Sequence, residues 1–431
     1  MRIKKTILSN FTRTGFSEAL CIRPQHERQL QQGLDQYKLS PILARGAGLS
    51  YSDGCFNTKG YVVDTQRFNH FIHFDESTGV VECQSAVTYK DLFLLHPQFI
   101  PPVFPGTAHA TIAGGIANDV HGKNNHWESS FGKHILWIDL LIMDKRLRCS
   151  PKHHPELFQA TIGGLGLTGI ITSVGLQLKK ASKQVKVTKL AFTSLSDLIG
   201  KMSTLGLDAH YQMAWLDLIN KPTRGVLALA NHTEEHAPQR RWIGKAVMPK
   251  VPFCVLQTWN LKLLNQCIFK KSTSEQLLSL QHFNNPLDSI RHWNRCYGNK
   301  GLIQFQALFS QAEADNIIKQ LVHIIRLHQA IPTLAVLKLF TNPGRGLLSF
   351  CKPGFTLAID FIGTPQAKQA ILEMNQIITD LKGRVYLGKD LYLKKDQFET
   401  MYESHQQFKN ILAQYQSPMQ SDLSKRIGLL P

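Results

Sequence analysis

The strongest constraint on how this chain folds is the density of small residues in PGTAHATIAGGIANDVHGKNNH (105–126), where Gly106, Gly114 and Gly115 precede His121 and Lys123 within one short span. Glycines so placed let a flat ring system lie against the main chain, because no Cβ stands in the way. A second stretch, RGAGLSYSDG (45–54), runs the strand-like PILAR into Gly46 and Gly48 ahead of a polar cluster. Closely spaced amides there can converge on one anion and form a nest for a diphosphate. An ordinary turn would use the same glycines, and His121 and Lys123 taken singly read as a core histidine and a solvated lysine. Together the two stretches point to a site. A third motif, GLGLTG with Gly164, Gly166 and Gly169, has the spacing of a dinucleotide fingerprint in the wrong context. A helical segment comes before it and a strand after, the reverse of what a pyrophosphate site needs, so it reads as a tight helix-to-strand turn.

Residues 1–181 alternate the apolar strands PILARG (41–46), YVVDT (61–65), VVECQSA (80–86) and LWIDLLIM (136–143) with glycine-rich turns and the helical segments TYKDLFLLH and HPELFQATI. GIITSVGLQL puts Ile170, Thr172, Val174, Leu176 and Leu178 on one face of a strand. From 182 onward a strand–helix–strand–strand pattern runs twice. Its first pass is VKVTKLAF, a helix begun by Ser194, YQMAWLDLI and RGVLALANH. The second is LIQFQALF, a helix opened by a capping box from Ser310 to Glu313 with Ile317, Leu321 and Ile324 on its stripe, TLAVLKLF and FTLAIDF. A last helix starts near Thr364 and Pro365 and ends at Gly383. Such connections imply an antiparallel sheet with helices on one face, so the chain is α+β with a second domain at 182–383. Strand alternation puts Gln304 and Gln306 on one face, and Lys338 beside Leu334, Val336 and Phe340. Polar groups at inward positions either pair within the core or line a pocket. Between 233 and 300, Trp242, Phe253, Trp259 and Phe269 sit among lysines with no sustained periodicity to read.

At 431 residues the chain is long enough for two or three domains, and its 43% hydrophobic and 19% charged residues exclude a coiled coil, a fibre or a disordered segment. No apolar run approaches the roughly 20 residues needed to cross a bilayer, and MRIKKTILSNFTRT offers no secretory signal, so a cytoplasmic location is expected. The 8 cysteines form no CxxC pair and read as reduced core residues; no metal site is expected. Lys plus Arg number 49 against 31 Asp plus Glu, a net charge of +18 that favours a polyanion, an anionic membrane surface or a phosphorylated ligand. No basic block or aromatic-interleaved basic stripe is present, which argues against nucleic acid.

The two glycine stretches, followed by SSFGKHI (129–135), ELFQATIGGLGLTGII (156–171) and VYLGKDLY (385–392), resemble the flavoproteins of the vanillyl-alcohol-oxidase type over nearly the whole chain. The resemblance is strongest to the members that oxidise a polyprenyl-phosphoryl pentose. HGKNNH and YLGKD carry it more specifically than the glycine spacing does. It implies a PCMH-type FAD-binding domain at 1–181, completed by 384–431, with a substrate domain at 182–383. By the same resemblance the FAD diphosphate falls on Arg45, Gly46, Ala47, Gly48 and Ser50. Gly106, Thr111, Ala113, Gly114, Asn118 and His121 would follow the flavin and its ribityl chain, with Ile171 and Tyr386 completing the pocket.

Lys389 is the implied catalytic residue, with Tyr51 and His121 beside it. A lysine there stabilises the negative charge that reduction places on the ring and orients the substrate hydroxyl. Apart from the resemblance it would read as a surface lysine at a strand end. Lys123, Gln304, Gln306 and Lys338 are implied around the sugar and phosphate, with Trp215 and Tyr297 as walls. Three departures matter. Ala358 stands where some members have a cysteine beside the flavin, so no thiol takes part; Ser52 stands where glycine is usual; and Leu49 occupies the position of a flavin-linking histidine in aldonolactone oxidases, implying non-covalent FAD. The implied reaction is oxidation of a secondary hydroxyl, at C2 of the pentose, by hydride transfer to flavin N5. It would be the first half of an epimerisation completed by an NAD(P)H-dependent short-chain reductase. The charge fits peripheral contact with the inner face of an anionic membrane. Rival readings are an aldonolactone oxidase and a non-enzymatic basic scaffold for membrane or nucleic acid.

Overall fold

The computed structural model, which describes residues 2–37, 40–236, 246–271 and 274–430, gathers the early apolar segments into two small sheets. Strands Ile3–Ser9, Phe16–Ile22, Tyr61–Asp64 and Ile42–Arg45 lie side by side in that order. The second sheet runs Phe71–Asp75, Val80–Gln84, Ile170–Gln177, Ile135–Ile142 and Lys145–Cys149, antiparallel throughout. Its central strand, Ile170–Gln177, is buried along both faces rather than one. GLGLTG joins helix Pro155–Thr161 to this strand, as its context required.

Among the described residues the larger sheet has eight strands, all antiparallel, in the order Ser274–Ser279, Gln184–Phe192, Arg224–Thr233, Tyr211–Asp217, Pro332–Phe340, Gly354–Ile362, Leu302–Phe309 and Arg384–Val385. The two strand–helix–strand–strand units meet edge to edge where Ala214 and Trp215 oppose Leu337 and Val336. Residues directly opposed across antiparallel strands share a face. One face therefore carries the row Leu227, Ala214, Leu337, Leu357 and Ala307. These pack in one buried cluster with Leu198, Leu321 and Met374 of helices Leu195–Ser203, Ala314–Leu327 and Pro365–Asp380. The other face carries Val226, Trp215, Val336, Ala358 and Gln306, and Gln306 reaches His121 in the glycine-rich half.

The structure corrects two expectations and fills a region that gave no reading. The helix after LIQFQALF begins at Ala314, not at a Ser310–Glu313 box; Glu313 is the cap and its side chain caps nothing. A tertiary bond prevails there, since Gln311 donates to Ser203 Oγ at 3.0 Å and the turn closes through Ala314 N to Gln311 O. Pro365–Asp380 is not the last helix. The chain adds Arg384–Val385 to the large sheet and then forms helices Lys395–Met401, His405–Gln414 and Asp422–Arg426. These return to the first sheet, where Gln420 N donates to Ile42 O and Asp422 N to Phe56 O, both at 2.8 Å. Lastly, the unreadable region contains helix Thr258–Lys270 and strand Ser274–Ser279, while Trp242 lies outside the described residues. No helix among the described residues is long and apolar enough to cross a membrane.

Candidate active site

Strand Ile42–Arg45 ends in a loop whose main-chain donors are free: among the described residues, the amides of Gly46, Ala47, Gly48, Leu49 and Ser50 make no hydrogen bond. Gly48 has φ +66°, and a Cβ there would lie 2.2 Å from the Arg45 guanidinium, which folds back over the loop. Arg45 donates through Nη2 to Ser9 O at 2.8 Å and leaves its buried Nε unpartnered. A Cβ on Gly46 would meet Thr111 Oγ1 at 2.5 Å, so the two glycine stretches approach each other as closely as backbone allows. Thr111 caps helix Ile112–Ala117 by accepting from Gly114 N at 3.2 Å, while a Cβ on Gly106 would enter open space. A row of free amides, an orphaned guanidine nitrogen and a glycine facing space fit a diphosphate with an attached flat group. Ala113 N donates to Ser85 O at 3.0 Å, and Ser85 N to Thr172 O, which places Ile171 one strand behind this wall.

The opposite wall is the polar end of the large sheet. His121 is 7% exposed, ringed by Phe340, Phe350 and Tyr386 at centroid distances of 4.9, 5.4 and 5.1 Å. Gln306 Nε2 donates to its Nε2 at 3.0 Å, leaving a proton on Nδ1, which is buried without a partner. Burial, with Lys338 and Lys389 nearby, pushes the His121 pKa well below its usual value, so the ring is neutral. Three half-buried lysines converge here, and none forms an ion pair among the described residues. Burial lowers Lys389 and Lys338 to about 8 and Lys123, with Lys338 beside it, to about 7. Lys123 donates to Phe283 O and lies 4.3 Å from that ring's centre; Lys389 Nζ stands 3.2 Å from the centre of the Tyr51 ring.

The turn carrying Lys389 is held from three sides. Lys389 N donates to Tyr386 O at 3.0 Å, Tyr386 OH to Asn118 O at 3.1 Å, and Tyr386 N to Gln306 O at 2.9 Å. Arg426 then bridges the neighbouring residue to the Tyr51 loop, 2.9 Å from both Asp390 and Asp53. Asp360 is the residue that sequence reading missed. It is 3% exposed and accepts from Gln304, and burial raises its carboxyl to about 6, with the Lys389 charge opposing. It lies on the face of Ala358 and Thr356, so the alternation that exposed Gln304 and Gln306 could have found it in FTLAIDF. Asp119 was also missed: fully buried, it accepts from Ser130, Ser349 and Gly132 N and fixes the His121 loop.

Tyr297 is buried with its OH bonded to Thr333 Oγ1 at 2.6 Å, in an apolar cluster against which Tyr51 packs, so it stands at the edge of the site. Trp215 stands apart. It is two strands from Ala358 along the sheet and lines a separate cavity with Met213 and Val226.

Residues 19–150 match the family model of an FAD binding domain. Decaprenylphosphoryl-beta-D-ribose oxidase of Mycolicibacterium smegmatis is 28% identical over 90% of this chain and 89% of its own length. Residues 19–150 thus form an FAD-binding domain, and the protein is an FAD-dependent oxidoreductase. Shorter likenesses agree: a putative D-arabinono-1,4-lactone oxidase of Neurospora crassa is 29% identical over 36% of the chain and 28% of its own length. Cytokinin dehydrogenase 10 of Oryza sativa subsp. japonica is 25% identical over 36% and 30%. The matched residues of this oxidoreductase include both glycine loops, Tyr51 and His121.

Proposed function

We propose that this oxidoreductase oxidises the C2 hydroxyl of a polyprenyl-phosphoryl pentose to a ketone. The observation that carries the reading is the convergence of Lys123, Lys338 and Lys389, which among the described residues have no acidic partner apart from the vicinity of Asp360. Half-buried cations with depressed pKa values are poised for an anionic ligand, and a phosphodiester beside the sugar satisfies them. A neutral lactone would leave them unpaired. We divide the chain accordingly into an FAD-binding part, 1–181 with 384–431, and a substrate part, 182–383.

The Gly46–Ser50 amides and Arg45 would hold the FAD diphosphate, and Gly106, Thr111, Gly114 and Asn118 would border the flavin. FAD supplies the acceptor for the hydride that leaves the carbinol carbon. Lys389, backed by Asp360, orients the hydroxyl and receives its proton when neutral. His121, held neutral by Gln306, offers its Nδ1–H as a donor rather than a base. With Leu49 in place of a linking histidine, FAD is held without a covalent bond. The ketone then passes to a separate NAD(P)H-dependent reductase to complete an epimerisation. A net charge of +18 supports work at the cytoplasmic face of an anionic membrane.

Anaerobic titration of the purified yellow protein tests the assignment. Polyprenyl-phosphoryl ribose should bleach the flavin and arabinono-lactone should not; the reverse would replace this reading with an aldonolactone oxidase. Acid precipitation should leave the protein colourless.

A further inference from the structure

Helix Thr258–Lys270 is built inside out for a surface helix. Its buried side holds only Leu261 and Asn265, with Phe269 half-buried, while Trp259, Leu263, Leu264 and Ile268 are 67, 55, 52 and 40% exposed. At about 100° per residue the exposed apolar positions cover an arc of about 180°. Polar bonds hold it to the protein. Asn265 Nδ2 donates to the buried Asp217 carboxylate at 2.8 Å, and Asn220 Nδ2 donates to Lys262 O at 3.3 Å. Phe253 and Val255, just before it, are exposed as well.

The sequence on and around this helix carries charge of one sign. Between Glu235 and Glu275 there is no acidic residue, and seven are Lys or Arg, including Lys262, Lys270 and Lys271 on the helix and its end. Protein interfaces are depleted in lysine, whereas an outward tryptophan and leucines with lysines among them suit the headgroup region of an anionic bilayer.

We propose that helix Thr258–Lys270 docks the protein on an anionic phospholipid bilayer, with Trp259, Leu263, Leu264 and Ile268 entering the headgroup boundary. This deepens the peripheral-membrane part of the proposed function. It also gives a lipid-linked substrate a route. Cys267 and Ile268 line a cavity of about 470 Å³ whose other wall includes Met213, Trp215 and Val226. From Trp215 the same sheet face continues through Val336 and Ala358 to Gln306.

The test is co-sedimentation of the FAD-loaded full chain with phosphatidylglycerol–phosphatidylcholine vesicles and with phosphatidylcholine alone. The wild type should bind the anionic vesicles at low salt, and Trp259→Ser with Leu263→Ser should weaken partitioning by about tenfold or more. Flavin absorbance and turnover of a short-chain, soluble phosphoryl sugar should stay unchanged, which shows that the variant is folded. Lys262→Gln with Lys270→Gln and Lys271→Gln should weaken binding and flatten its salt dependence. If the wild type binds and the Trp259/Leu263 variant binds equally well, this face is not the dock, although the membrane reading stands. If the wild type ignores anionic vesicles, both fall. A loss of self-association in the variant without any lipid binding would reassign the face to a second copy of the chain and overturn the proposal.

Discussion

The two strand–helix–strand–strand units of the large sheet share their connections and differ in the chemistry of one face. Toward the helices they are alike: Leu227 and Ala214 in the first unit and Leu337, Leu357 and Ala307 in the second lie in one apolar row. On the other side the first unit presents Met213, Trp215, Val226 and Ala228 with Lys189 at its margin, and the second presents Gln304, Gln306, Lys338, Thr356 and Asp360. The helix-facing row sets the architecture in both, since burying it is what holds the layers together. The remaining face is then free to differ, and it is polar where it approaches the glycine loops and the Lys389 turn. Outward from the apolar unit, helix Thr258–Lys270 carries the exposed leucines.

Breaking the site where the polar unit meets the Lys389 turn should cost most. Lys389→Met should lower kcat on the order of a thousandfold with FAD still bound, measured by anaerobic flavin reduction against the absorbance of the purified protein. Lys338→Met should raise KM for a phosphoryl sugar about a hundredfold through loss of a charged contact. It should also stabilise the substrate-free protein at pH 7 by roughly 1 kcal/mol, because a cation without an acidic partner leaves a half-buried site. A lower melting temperature for this variant would reveal an ion pair at Lys338, which has none among the described residues.

Asp360→Asn should reduce kcat about tenfold and move the acid limb of kcat, which follows Lys389 near pH 8, to lower pH, because the Asp360 charge that favours protonated Lys389 is gone. In KM the lysines give the opposite limb. Their charges are present below about 7 for Lys123 and about 8 for Lys338 and Lys389 and are lost above, so KM for an anionic substrate should rise as pH climbs through that window. Stability of the free protein should rise with pH over the same range, since the unfolded chain keeps those protons to higher pH. The apolar unit should respond least. Trp215→Ala should raise KM roughly threefold for a long-chain substrate and leave a short-chain one unaffected, in steady-state assays of both.

Much of this architecture was legible because its signals are local. Period-two alternation gave the strands of both units, and Ser194 and Thr364 cap helices where their spacing placed them. The polar face was half legible. Gln304, Gln306 and Lys338 stood out in their strands, while Asp360 in FTLAIDF passed as one more residue of an apolar run. Helix Thr258–Lys270 gave no readable period because one of its two buried residues is Asn265 while Leu263 and Leu264 face outward. Arg426 has no local signal at all, for its partners Asp53 and Asp390 lie far away in the chain.

The amino-acid order alone determined where glycine removes Cβ atoms and where apolar residues recur at strand or helix spacing, for both depend only on near neighbours. Which lysines share a pocket, which carboxyl is pushed toward neutrality and which helix turns its leucines outward were decided by the tertiary structure. Charge interaction and burial depend on distance in space, and only packing brings Lys123, Lys338, Asp360 and Lys389 together.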